Sequence, residues 1–118
     1  MFRSIRSVIF FVDDVLQSVE WYKKLLGVEP VVREGRLSHF EIGGTVLYLH
    51  PADDRSPVST GNQIVYWEVD FFGSAVAKAT EMGATIHRGP KELKGGVMVC
   101  QLKDPYGNVF GIQGRSMA

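Results

Sequence analysis

Leu102-Lys103-Asp104-Pro105-Tyr106-Gly107-Asn108-Val109-Phe110-Gly111-Ile112-Gln113-Gly114 reads as two strands joined by a tight turn. An Asp at the first turn position accepts a backbone bond, Pro presets φ at the second and Gly closes the turn, so Asp104 to Gly107 has type I chemistry. A strand from Met98 to Lys103 enters and another from Asn108 to Gln113 leaves. With Lys103 opposite Asn108, Gln101 falls opposite Phe110 and Cys100 opposite Gly111. That register predicts Met98, Cys100, Val109, Gly111 and Gln113 on one face, and Phe110 and Ile112 on the other.

Upstream of this hairpin, Gln63 to Val69 reads as a strand, and Phe72, Ala75, Val76, Ala79 and Met82 recur at helical spacing until Gly83 stops them. His87 and Arg88 precede Gly89-Pro90 in what reads as a loop, where they could clamp an anion or simply be solvated. The N-terminal half has the same order. Ser4 to Val12 is a strand rich in Ile, Val and Phe, apolar on both faces. Asp14 caps a helix with Gln17 as its capping-box partner, Val15, Val19, Tyr22 and Leu26 mark its apolar face, and Gly27 ends it. Pro30 to Glu34 is a weaker strand, and Leu37 to Ile42 with Thr45 to His50 forms a hairpin about Gly43-Gly44. Pairing Ile42 with Thr45 sets Glu41 against Val46 and His39 against Tyr48, with Phe40, Leu47 and Leu49 on the opposite face. Pro51 to Asn62 has the composition of a joint between halves. Val12-Asp13 with Val19 matches Val69-Asp70 with Val76 at one internal spacing, so the chain reads as a duplicated β-α-β-β-β unit. Phe71 stands where the first half has its capping Asp14, so the second helix starts less firmly.

The 118 residues are 45% hydrophobic and 22% charged, which suits one globular domain burying roughly two thirds of its unfolded surface. Thirteen basic residues balance thirteen acidic ones and both signs are scattered, which argues against a nucleic-acid stripe or a polybasic membrane patch. The apolar run Val8 to Val12 is far too short for a membrane span or a signal-peptide core. Cys100 has no partner for an internal disulfide, which makes a reducing cytoplasm the default expectation. A single strand Cys with no cation beside it in sequence reads as a small buried hydrophobe rather than a nucleophile, and Trp21 and Trp67 read as core.

The order strand, Val12-Asp13-Asp14, helix with Ser18-Val19-Glu20-Trp21-Tyr22 and Leu26-Gly27, repeated once and ending in Asp104-Pro105-Tyr106-Gly107-Asn108, resembles the vicinal oxygen chelate superfamily over essentially the whole chain. That group includes glyoxalase I, extradiol dioxygenases, fosfomycin resistance enzymes and bleomycin resistance proteins. The resemblance implies an α+β fold: two βαβββ modules, about 1–55 and 60–118, whose mixed sheet curls into a cup with helices outside. It also implies a homodimer, since members commonly pair. In metal-dependent members His, Glu or Gln ligands point into the cup, and alignment on this chain puts Ser7, Tyr48, Ile64 and Gly111 at those positions. The resemblance thus implies that the usual metal ligands are lost, and neither metal nor cofactor is expected.

If strand parity holds, the cup is lined by Ser7, Ile9, Phe11, His39, Glu41, Tyr48, His50, Tyr66, Glu68, Met98, Cys100 and Gln113. Polar residues alternating on a wet sheet face can also be mere solvated positions. His50 and Glu68 are the leading ligand-binding candidates, with Tyr48, Tyr66, His39, Glu41, Gln113 and Phe11 around them. Two functions stay open. One is a bleomycin-resistance-like protein that binds a small flat or aromatic molecule. The other is an enzyme of lyase, isomerase or dioxygenase kind, with a displaced metal set from His39, Glu41, His50 and Glu68 or a metal-free base at Glu68 or His50. No catalytic residue is assigned.

Overall fold

The computed structural model describes residues 3, 5–32, 37–59 and 64–115. The chain divides into two compact units, residues 1–58 and 59–118, with the same order of elements in each. The fold is α+β, built as two βαβββ modules.

Module one runs β1 (Ser7–Val12), α1 (Val15–Leu26), β2 (Val31–Val32), β3 (Ser38–Ile42) and β4 (Thr45–Pro51). Its strands lie in the order β1-β4-β3-β2, with β1 parallel to β4 and the other pairs antiparallel. The hairpin register predicted about Gly43-Gly44 is the one observed, with Ile42 on Thr45, Glu41 on Val46 and His39 on Tyr48. Asp14 caps α1 as expected: its Oδ1 accepts the Gln17 N–H at 3.0 Å. At the other end the Gly27 N–H reaches the Lys23 carbonyl at 2.9 Å. Val15, Val19, Trp21 and Tyr22 turn inward from α1 and meet Phe10, Val12, Phe40, Leu47 and Leu49, which the sheet presents on one face. Tyr22 packs between Phe10, 6.0 Å away between centroids, and the edge-on Trp21 at 4.9 Å. The opposite face of β1, apolar in sequence, is only partly buried, with Ile9 46% exposed and Phe11 half-buried.

Module two runs β5 (Val65–Glu68), α2 (Phe72–Glu81), β6 (Thr85–Glu92), β7 (Val97–Lys103) and β8 (Val109–Arg115), in the strand order β5-β8-β7-β6. Again the first strand runs parallel to the last, and the others are antiparallel. Phe71 at the start of α2 makes no side-chain cap, as its chemistry predicts. The helix ends in a Schellman motif, with Ala84 N–H on the Ala79 carbonyl at 3.0 Å and Gly83 N–H on Thr80 at 3.1 Å. Phe72, Ala79, Leu102, Phe110 and Ile112 are buried in this module's core.

In module two the structure corrects two expectations. The β7–β8 register is shifted by one: Lys103 pairs with Val109, Gln101 with Gly111, Cys100 with Ile112 and Met98 with Gly114. The cause is Asp104, which pairs with Asn108 through its backbone (2.8 Å) and also accepts the Tyr106 and Asn108 N–H groups on Oδ1, both at 2.9 Å. Only Pro105, Tyr106 and Gly107 then remain in the loop, a turn in which the Gly107 N–H meets the Asp104 carbonyl at 3.3 Å and Gly107 takes φ 97°, the left-handed conformation that Gly adopts without a Cβ clash. A slip of one residue exchanges faces, so Met98 and Cys100 join Phe110 and Ile112 instead of Gly111 and Gln113. The second correction is His87 to Pro90, read as a loop but lying within β6 as an irregular strand, with two register shifts against β7 and a cis Gly89-Pro90 bond.

Pro51, assigned to the joint, ends β4, and Asp53 organises the turn after it by accepting the Arg55 and Ser56 N–H groups at 3.0 and 2.8 Å. The expected strand starts at Ser4 and Gln63, the end of the second strand at Arg33 and Glu34, and the end of the joint at Asn62 lie outside the described residues.

Candidate functional site

In module one, the sheet face turned away from α1 carries most of the predicted site. Strand pairing sets Phe11 beside His50 and lines up Ile9, Tyr48 and His39 across β1, β4 and β3. The Phe11 and His50 rings lie 5.1 Å apart between centroids, and those of His39 and Tyr48 5.4 Å, both tilted. Glu41 follows His39 on the same face two residues on, and its Oε2 comes within 3.6 Å of His39 Nε2. Half-buried His50 places Nδ1 2.8 Å from the Pro51 carbonyl. A carbonyl only accepts, so Nδ1 is the donor in this bond, and in the neutral ring Nε2 is the acceptor.

In module two, Tyr66 and Glu68 on β5 pair with Gly111 and Gln113 on β8, and Gln101 on β7 completes the Tyr66 row. The Tyr66 ring lies flat over Gly111: a Cβ at residue 111 would sit 2.2 Å from Tyr66 Cδ1. From there the Tyr66 hydroxyl accepts a bond from Gln101 Nε2 at 2.9 Å. Glu68 is exposed, and with Gln113, Asp70 and Arg115 it lines a pocket of about 300 Å³. Met98 and Cys100, expected beside them, are on the core face. Burial pushes the Cys100 thiol up from its ordinary value, which keeps it protonated and weakens it as a nucleophile. Trp21 is buried as expected; Trp67 is half-buried, with its indole Nε1 enclosed and unbonded among the described residues.

Gln101 was not anticipated as a site residue. Its parity depends on the β7–β8 register, and the signal that would have given it is the Asp104 side chain acting as the hairpin's own cap.

At the four positions that the resemblance aligns with metal ligands, the side chains differ from the donors a divalent ion usually takes. Ser7 offers a hydroxyl, Tyr48 a phenol, Ile64 an alkyl chain and Gly111 nothing, where such ions take thiolate, imidazole or carboxylate donors. The volume any side chain at residue 111 would need is taken by the Tyr66 ring. Among the described residues, no three His, Cys, Asp or Glu side chains are grouped as a metal site requires. None of the described helices is long and apolar enough to cross a membrane.

Comparison with solved structures finds the same fold in a glyoxalase/bleomycin resistance protein/dioxygenase family enzyme from Burkholderia phytofirmans PsJN, with TM-score 0.81 and 20% identity over 95% of this chain and 98% of that one. A glyoxalase/bleomycin resistance protein from Albidiferax ferrireducens T118 is similar at TM-score 0.75 and 20% identity, over 94% and 98% of the two chains. A lactoylglutathione lyase from Agrobacterium tumefaciens is similar at TM-score 0.73 and 18% identity, over 96% and 94%. At these identities the likeness establishes the fold. No curated protein matches the sequence. The sequence model of the Glyoxalase/Bleomycin resistance protein/Dioxygenase superfamily matches residues 4–112, nearly the whole chain, and the protein belongs to that superfamily.

Proposed function

We propose that the protein binds a small, flat or aromatic molecule without a resident metal at the superfamily's usual positions, using the module-one face built from Phe11, His39, Glu41, Tyr48 and His50. The observation that carries this reading is the pair of ring contacts, Phe11 on His50 and His39 on Tyr48, which gather aromatic rings on the face that holds His50. Rings supply stacking area, and the imidazole fixes orientation by one hydrogen bond. Tyr66, Glu68 and Gln113 are the corresponding candidates in module two.

The test is a thermal-shift screen of aromatic compounds followed by calorimetry on variants. His50→Ala should weaken a hit by about 1 to 3 kcal/mol, the cost of leaving a polar partner unpaired, with the unliganded melting temperature unchanged. Phe110→Ala, in the module-two core, should instead cost about 3 to 5 kcal/mol of stability. Wild-type affinity in His50→Ala together with Tyr48→Ala would remove the module-one face from consideration.

The His50 geometry favours a second reading, a metal-free enzyme in which Nε2 takes a proton from the bound molecule while Pro51 holds the ring's tautomer. Under that reading His50→Ala abolishes turnover of a hit that it still binds; loss of affinity alone speaks for binding only.

A further inference from the structure

We propose that module two carries an oxyanion-binding pocket in which Arg88 and Lys91 hold a carboxylate or phosphoryl group and the Tyr66 hydroxyl donates to it. The residues that line the site all belong to that module. A pocket of about 240 Å³ has Arg88, Lys91, Tyr66 and Gln101 in its lining. That is below the roughly 300 to 1,000 Å³ of cavities enclosing drug-sized ligands, and it suits an acidic head group.

The irregularity of β6 is what brings the cations together. Regular alternation would put residues 88 and 91 on opposite faces. Instead Arg88 pairs with Gln101 and Lys91 with Val99, so β6 advances three residues while β7 advances two. The extra residue is a bulge, a device that re-aims side chains, and it turns Arg88 and Lys91 to the face that holds Gln101 and Tyr66. Gly89 inside the bulge has φ 88°, and a Cβ there would lie 3.1 Å from the Val99 carbonyl, so the backbone conformation calls for glycine.

The charge on this face suits an anion. Among the described residues neither Arg88 nor Lys91 is in an ion pair. Glu68 on β5 and Asp70 just past it, which share a pocket with Gln113, lie at the opposite edge of the sheet from β6. The Tyr66 oxygen already accepts from Gln101 Nε2, which leaves its own O–H to donate. Arginine supplies a planar fork and lysine a point charge, a combination that matches a carboxylate or phosphoryl group.

The experiment is a titration of the isotope-labelled full chain, at low salt, with inorganic phosphate and separately with acetate, following backbone amide shifts. Saturable shifts centred on Arg88, Lys91 and Gln101 are expected, with the preferred anion distinguishing phosphoryl from carboxylate. Arg88→Gln and Lys91→Gln should each weaken binding about tenfold, as expected for a lost charge-assisted bond. Both residues are exposed, so the core survives either change. Lys78→Gln on α2 removes the same charge elsewhere and should leave the affinity as it was. Absence of saturable binding by either anion, or an equal loss in Lys78→Gln, would overturn the proposal.

Discussion

Gly111→Ala is a small change with a large expected effect, because its methyl would stand 2.2 Å from the Tyr66 ring. Forcing the ring aside should cost about 1 to 3 kcal/mol in urea unfolding, the range for overpacking, and most of that should vanish in a Tyr66→Ala background. Cys100 gives a second residue-scale expectation. Buried and held protonated, it should react with a thiol reagent at neutral pH far more slowly than it does in denaturant; equal rates would show that the strand is open to solvent. Its chemical identity pointed to an inert thiol from sequence alone, whereas the face it occupies depended on a pairing several residues away.

At the scale of elements, the two helices differ at their starts and so should their responses. Asp14→Ala removes a cap seen at 3.0 Å and should lower stability by about 1 kcal/mol, while Phe71→Ser adds a cap that α2 lacks and should not lower it. Thermal or urea unfolding of the two variants side by side measures the difference. Both starts were legible because capping depends on the identity of one residue and its neighbour three positions on. The Gly43-Gly44 hairpin was legible for a similar reason: a two-residue turn leaves one sensible register, and the oily set Phe40, Leu47 and Leu49 fixes it. The second hairpin was not, because Asp104 uses both backbone and side chain to close a shorter loop than its type I signature suggests. β6 was implied by the duplicated unit but not placed, since its bulges break the period-two pattern by which a strand is recognised and Gly89-Pro90 has the composition of a loop.

For the molecule as a whole, duplication was readable in the spacing of Val12-Asp13 with Val19 and Val69-Asp70 with Val76, and family membership with it. The candidate site was readable only where register was, which is why the module-one set came together as expected and the module-two set lost Met98 and Cys100. Exposed apolar side chains such as Ile9, Val31, Val32 and Phe71 lead us to expect a homodimer. Light scattering at micromolar concentration should give twice 13.1 kDa, and a monomer mass would leave that surface to another role. Protein purified without chelators should hold well under one equivalent of transition metal, and chelation should not shift its melting temperature.

The Tyr66 ring over Gly111 also constrains history. A lineage with a bulky side chain at 111 cannot acquire Tyr66 in this rotamer first, and a lineage with Tyr66 in place cannot acquire a bulky side chain at 111 first. The order of substitutions is therefore fixed in both directions: residue 111 shrinks before the ring arrives, and the ring leaves before residue 111 grows. Selection experiments that seek to place a metal-binding side chain at residue 111 should recover changes at Tyr66 before, or together with, any at Gly111.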